Sequence, residues 1–181
     1  MLLATILLAL PTLLSAQVKQ YEIRDFFRNP EKARFQISPD GEMISYLAPW
    51  NNRMNIHVQK IGEKEATRIT SVTDRDISGY FWKNKGTLVY TRDFGGDENF
   101  HLFIATTDGK TETDLTPFRG VRVQITDPLV DFPDEILIEM NKENPELFDV
   151  YRLFLSSGEM KLVAKNPGNI SSWVTDHTGE V

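Results

Sequence analysis

A short pattern that returns every 40 to 50 residues or so constrains this chain more than any single motif does. "FQISPDGEMISYL" opens one unit near residue 35, "GYFWKNKGTLVYT" a second near 79 and "DPLVDFPDEILIEM" a third near 127, and "SSWVTDHTGEV" reads as the start of a fourth. Each opening is strand, tight turn, strand. The later halves repeat as well: "IHVQKIGEKEATRIT", "LFIATTDGKTETDLT" and "YRLFLSSGEMKLVA" each place a glycine (Gly62, Gly109, Gly158) between two apolar runs. Within the runs, apolar and polar residues alternate with period two, the spacing of strands rather than helices. Asp40-Gly41 and Asp108-Gly109 tolerate the positive φ of a tight hairpin, so Ser38 and Asp40 read as turn formers.

Four strands per unit predict an all-β chain, a partial β-propeller of four-stranded antiparallel blades. About three blades (35–76, 77–120, 121–168) and the start of a fourth (169–181) are expected. Phe35, Phe81, Trp82 and Trp173 fall at or near first-strand positions, where packing between blades needs bulk. A lead-in segment, 17–34, precedes them; in "YEIRDFFRNPEKA" Asp25 is placed to cap a short helical turn and Pro30 interrupts anything longer. Propellers typically use about four to eight blades. Three units would not close a ring, so self-association through exposed blade faces is expected of the isolated chain.

"MLLATILLALPTLLSA", residues 1–16, is uncharged and Leu-rich and ends in small residues, the shape of a signal peptide cleaved after Ala16. It is shorter than the roughly 20 apolar residues of a spanning helix. The expectation is an exported protein, periplasmic or secreted, with no membrane span after cleavage. The run lacks a basic start, which leaves an upstream start or an uncleaved anchor as alternatives. The chain has no cysteine, which excludes disulfides, a thiolate nucleophile, Cys-ligated zinc and a lipoprotein anchor. A formal net charge of −6 without a dense Lys/Arg cluster argues against nucleic acid as a partner.

"FFRNPEKARFQISPDGEMISYLAP" followed by "YTRDFGGDENFHLFIATTDG" resembles the N-terminal propeller of the prolyl oligopeptidase family of serine peptidases, especially its acylaminoacyl-peptidase and dipeptidyl-aminopeptidase-like bacterial members. The resemblance covers essentially the whole chain beyond residue 16. It implies a propeller that caps a C-terminal α/β-hydrolase domain carrying Ser, Asp and His, and a peptide substrate reached through that domain. No G-x-S-x-G elbow occurs in these 181 residues, so no catalytic residue is assigned here and the chain alone is expected to be inactive. "SPDG" is shared with TolB-type propellers, and a non-enzymatic periplasmic propeller that binds a protein partner is the alternative. A freestanding three-blade protein that completes a ring by self-association is a third.

No cofactor and no metal site are expected. Asp74 to Gly79, "DRDISG", matches the opening of an EF-hand loop, but the twelfth position is Lys85 where a bidentate Glu is required. His57, His101 and His177 stand alone, without a spaced partner for a metal or a serine elbow to serve, and read as structural or surface residues. Asn169-Ile170-Ser171 fits a glycosylation acceptor. The remaining candidate is "RDFGGDEN", the second-to-third-strand loop of the second unit, with Asp97, Glu98 and Asn99 as substrate-binding or interdomain residues. Such loops emerge on the face that carries the blade-to-blade connections, as do "PWNNRMN" and "NKENPELFD". In the resembled peptidases that face would lie toward the hydrolase. The competing reading is that Asp97, Glu98 and Asn99 bond their own backbone and Gly95-Gly96 permit the turn.

Overall fold

A computed structural model describes residues 18–176 and 178–181. The proposed signal peptide and His177 lie outside the described residues. The lead-in forms one helical turn, α1 (Ile23–Phe27), where Asp25 reaches back to accept the Glu22 N–H at 3.3 Å. No helix among the described residues is long and apolar enough to cross a membrane.

The rest is all-β. Strands β1 (Ala33–Ile37), β2 (Met43–Trp50), β3 (Arg53–Lys60) and β4 (Ala66–Arg68) make the first sheet. The second holds β5 (Tyr80–Asn84), β6 (Thr87–Arg92), β7 (His101–Thr106) and β8 (Glu112–Asp114). The third holds β9 (Val123–Asp127), β10 (Glu135–Asn144), β11 (Leu147–Phe154) and β12 (Met160–Ala164). Every sheet is an antiparallel meander in chain order, the arrangement of propeller blades.

Adjacent side chains on a strand point to opposite faces, and here both faces are used. Leu88 and Tyr90 of β6, with Phe103 of β7, pack against Leu47, Ile56 and Val58 of the first sheet. Val89 and Leu102 face the other way and meet Ile136, Ile138, Tyr151 and Leu153 of the third. Each sheet therefore has a trailing face toward its predecessor and a leading face toward its successor. The registers superpose the units: Tyr46 opposite His57, Tyr90 opposite Phe103, and Ile138 opposite Tyr151 occupy equivalent trailing positions.

Polar ties set the spacing between sheets. Tyr80 Oη donates to the Arg34 carbonyl at 2.7 Å, and Trp82 Nε1 donates to Ser45 Oγ at 2.8 Å, joining the first two sheets. Lys83, only 6% exposed, donates to the carbonyls of Pro128 and Leu129 and so joins the second and third. On the leading face of the third sheet Leu129, Leu137 and Val150 pack with Trp173 of the 169–181 segment, whose turn is closed by the Asp176 N–H donating to the Glu180 carbonyl at 3.0 Å.

The turn chemistry is repeated. Ser38 Oγ donates to Asp40 Oδ1 at 2.6 Å and accepts the Met43 N–H, with Gly41 at φ +75. Thr106, Asp108 and Gly109 build the same turn between β7 and β8. The Thr106 hydroxyl and the Lys110 N–H bonded to Asp108 hold its carboxyl down at about 2. Phe35, read as packing bulk between blades, lies on the trailing face of the first sheet, which no sheet covers among the described residues, and is 54% exposed.

Candidate functional site

The β6–β7 hairpin ends in a paired Arg92 and His101, and the chain between them, 93–100, is too long for a tight turn. Its shape comes from side chains that satisfy its own backbone. Asp93 is buried and accepts the Glu98 N–H at 3.2 Å, while Arg75 Nε approaches its other oxygen at 3.6 Å. The Asp97 N–H donates to the Phe94 carbonyl at 3.2 Å, and Gly95 and Gly96 sit at φ +62 and +87 to make that turn. A Cβ on Gly96 would lie 3.0 Å from Arg75 Nη1.

The three sequence candidates separate in role. Asp97 accepts the Asn99 N–H at 3.0 Å and the Asn99 side-chain amide at 3.2 Å, bonds that lower its pKa and commit both carboxylate oxygens. Asn99 is thereby committed as well. Glu98 makes no side-chain hydrogen bond or ion pair among the described residues, is exposed, and sits at φ +60, an uncommon conformation for a residue with a Cβ.

The loop lies where the connections between sheets run. The Gly95 N–H donates to Asp74 Oδ2 at 3.4 Å, and Arg92 Nη1 lies 3.9 Å from Asp74 Oδ1, so the β4–β5 connector carries one side of it. Within that connector Asp76 accepts the Met54 N–H at 2.8 Å, so the two leading carboxylates of "DRDISG" are engaged in holding neighbouring chain. No group of three metal-ligating side chains is placed to hold an ion among the described residues. At the same end of the first sheet, Asn51 and Asn52 at φ +48 and +61 form the β2–β3 turn, beside Trp50 with the Arg68 guanidinium 3.9 Å over its ring.

Behind the loop is a layer the sequence reading did not find. His101 Nδ1 is 2.7 Å from Asp114 Oδ2, whose other oxygen accepts the Thr116 N–H at 2.9 Å. Phe94 meets the His101 ring edge-on at 5.2 Å, and the Arg92 guanidinium lies over Phe94 and Phe103 at 4.7 and 4.8 Å. His101 is thus not the lone histidine expected. Its partner is separated by thirteen residues in sequence and becomes a neighbour through the β7–β8 pairing. The equivalent position in the other sheets is also polar and buried. Asn55 holds the Val72 N–H and carbonyl, and Asp149 accepts the Asn166 N–H at 2.7 Å. His57, by contrast, stacks on Tyr46 at 5.8 Å on the trailing face of the first sheet.

Comparison with known proteins follows the same lines. No family model matches the chain. It is 36% identical over 152 residues to dipeptidyl aminopeptidase BIII of Pseudoxanthomonas mexicana, a match covering 83% of this chain and 22% of that protein. It is 27% identical over 151 residues to dipeptidyl peptidase family member 6 of Caenorhabditis elegans, covering 77% of this chain and 20% of that one. The chain therefore spans about a fifth of the length of these curated relatives. Among solved structures, a puromycin hydrolase superposes with a TM-score of 0.52 at 16% identity, over 74% of this chain and 22% of that one. TolB from Acinetobacter baumannii gives the same score and identity over 82% and 36%. At such identities the structural likeness speaks for the fold alone.

Proposed function

We propose that this chain, whose sequence and fold match the N-terminal propeller region of the prolyl oligopeptidase family, caps the serine hydrolase domain of a longer, exported peptidase and limits its substrates to oligopeptides. The 36% identity to a dipeptidyl aminopeptidase over 83% of the chain carries this reading. The working face of the cap is the end of the sheets where the connectors and the 93–100 loop lie. Asp93, Arg75 and the Asp97–Asn99 bonds fix that loop, and Glu98 is left with a carboxylate to offer. Its partner is the free α-amino group of a peptide or an arginine of the hydrolase.

A charge-assisted hydrogen bond of this kind is worth about 1.5 to 3 kcal/mol. In the intact protein Glu98→Gln should therefore raise KM about tenfold or more for peptides with a free N-terminus and leave N-blocked peptides unchanged. Equal effects on both classes would reduce Glu98 to loop architecture. The cap reading itself is tested by a serine-reactive phosphonate, which should label the intact protein and abolish its turnover of aminoacyl chromogenic peptides.

A second reading, a TolB-like propeller that binds a protein partner, rests on the shared fold, since TolB superposes on the chain as well as the puromycin hydrolase does. Under that reading the phosphonate labels nothing.

A further inference from the structure

The end of the sheets opposite the 93–100 loop carries a cavity that none of the foregoing uses. It opens among the β1–β2 turn, the β5–β6 turn and the β9–β10 loop, with a volume of about 480 Å³. That is within the roughly 300 to 1,000 Å³ of small-molecule sites. Its walls are Phe81 and Trp82 together with three prolines, Pro39, Pro128 and Pro133. Val130, 82% exposed, stands at its edge.

The polar groups in it are nearly all committed. Trp82 Nε1 is held by Ser45, and Asn84 is spent on the Pro133 carbonyl and the Gly86 N–H. The charged side chains lining the cavity are Lys83 and Lys85, both cationic. Lys83 is buried and gives two of its three ammonium protons to the Pro128 and Leu129 carbonyls, leaving one donor. Lys85 makes no ion pair among the described residues. The acids whose charge reaches them are Asp127, Glu135 and Asp134 around Lys83 and Asp40 near Lys85, and none of these lines the cavity.

We propose that this cavity binds a small aromatic or branched apolar carboxylate, with the apolar body against Phe81, Trp82 and the prolines and the carboxylate on Lys85 and the remaining Lys83 proton. The site is independent of the peptidase-cap reading and lies at the other end of the sheets from Glu98.

The intact protein, labelled with 5-fluorotryptophan, reports on the site by ¹⁹F NMR, with the Trp82 resonance assigned by Trp82→Phe. Phenylacetate should shift that resonance saturably and leave those of Trp50 and Trp173 in place. Phenylacetamide keeps the apolar body and lacks the charge, and should bind about tenfold more weakly. Lys85→Gln, at a surface turn, should weaken phenylacetate similarly while Trp82 keeps its free-protein shift. Such a carboxylate is either a free small acid or the C-terminus of a peptide, and N-acetylglycylphenylalanine distinguishes them: a shift at Trp82 assigns a peptide end, and no shift beside a response to phenylacetate assigns a free acid. The proposal is overturned by a Trp82 resonance that never saturates, by equal affinity for acid and amide, or by a Lys85→Gln protein that binds phenylacetate like the wild type.

Discussion

His57 shows how one residue sets a pH response. Burial lowers its pKa, and the charges of Arg68 and Lys32 add to that against the opposing bond to the Asn55 carbonyl. The folded chain therefore takes up this proton less readily than the unfolded chain, whose histidine titrates near 6.5. The contribution to stability is complete above about pH 6.5 and is lost as pH falls through the lower, folded value. Equivalent positions in the other sheets hold Phe103 and Tyr151, so His57→Phe suits the site. The expected outcome is a melting temperature that falls less between about pH 7 and pH 5 in His57→Phe than in the wild type, measured by calorimetry. At this scale the sequence was only partly legible. Asp97, Glu98 and Asn99 were visible as a polar loop, but their division into two committed side chains and one uncommitted one depends on turn geometry. Asp93 drew no reading of its own in the sequence, yet it is buried under the loop as its anchor. Lys83 gave no signal of being the tie between two sheets, because its partners are backbone carbonyls 45 and 46 residues away.

At the scale of the element, strands and turns were legible because their causes are local. Alternation in "TLVYT" assigns Leu88 and Tyr90 to one face and Val89 to the other, and both faces are buried as a middle sheet requires. The His101–Asp114 pair was not legible, since it needs the β7–β8 register, which local pattern does not fix. Turn glycines show the same division between local and tertiary cause. Gly109 and Gly158 have nearly the same backbone, φ +70 and +71, and look alike in sequence. A Cβ at Gly158 meets nothing within 4 Å, whereas one at Gly109 lies 3.1 Å from the Arg68 carbonyl oxygen and 3.3 Å from Thr67 Cγ2 on β4 of the preceding sheet. Gly158→Ala should cost about 1 to 2 kcal/mol for the left-handed backbone alone. Gly109→Ala should cost more, because the Arg68 carbonyl and the Thr67 methyl must also shift by a few tenths of an ångström to admit the Cβ. Urea midpoints of the two variants check the order, and equal losses would mean that the contact to β4 gives way freely.

For the whole molecule, stability comes from leading faces covered by trailing faces, and this repeats only where a neighbour is present. The trailing faces of the second and third sheets are buried: Leu88, Tyr90, Ile136 and Ile138 are each at most 1% exposed. The trailing face of the first sheet presents Phe35 at 54% and Ile37 at 63% exposure, with Tyr46 and the partly buried His57 beside them. The leading face of the third sheet is covered differently, by the 169–181 segment through Trp173 and through Arg152, which donates to the Thr178 carbonyl at 3.1 Å. The two ends of the stack are therefore unequal, and association of isolated residues 18–181 should proceed through the first sheet. Removing that exposure tests this directly. The isolated segment should elute as an oligomer by light-scattering chromatography and bind a hydrophobic dye, because contiguous apolar surface on a sheet face drives association. Phe35→Lys with Ile37→Thr should shift it toward monomer with only a modest fall in its own melting temperature, since Ile37 is exposed and Phe35, half-exposed, loses one ring contact to Tyr46. Substituting Val174, 81% exposed at the other end, should leave the oligomer unchanged. A wild-type segment that is already a compact, dye-negative monomer would show that the trailing face of the first sheet is not a site of contact.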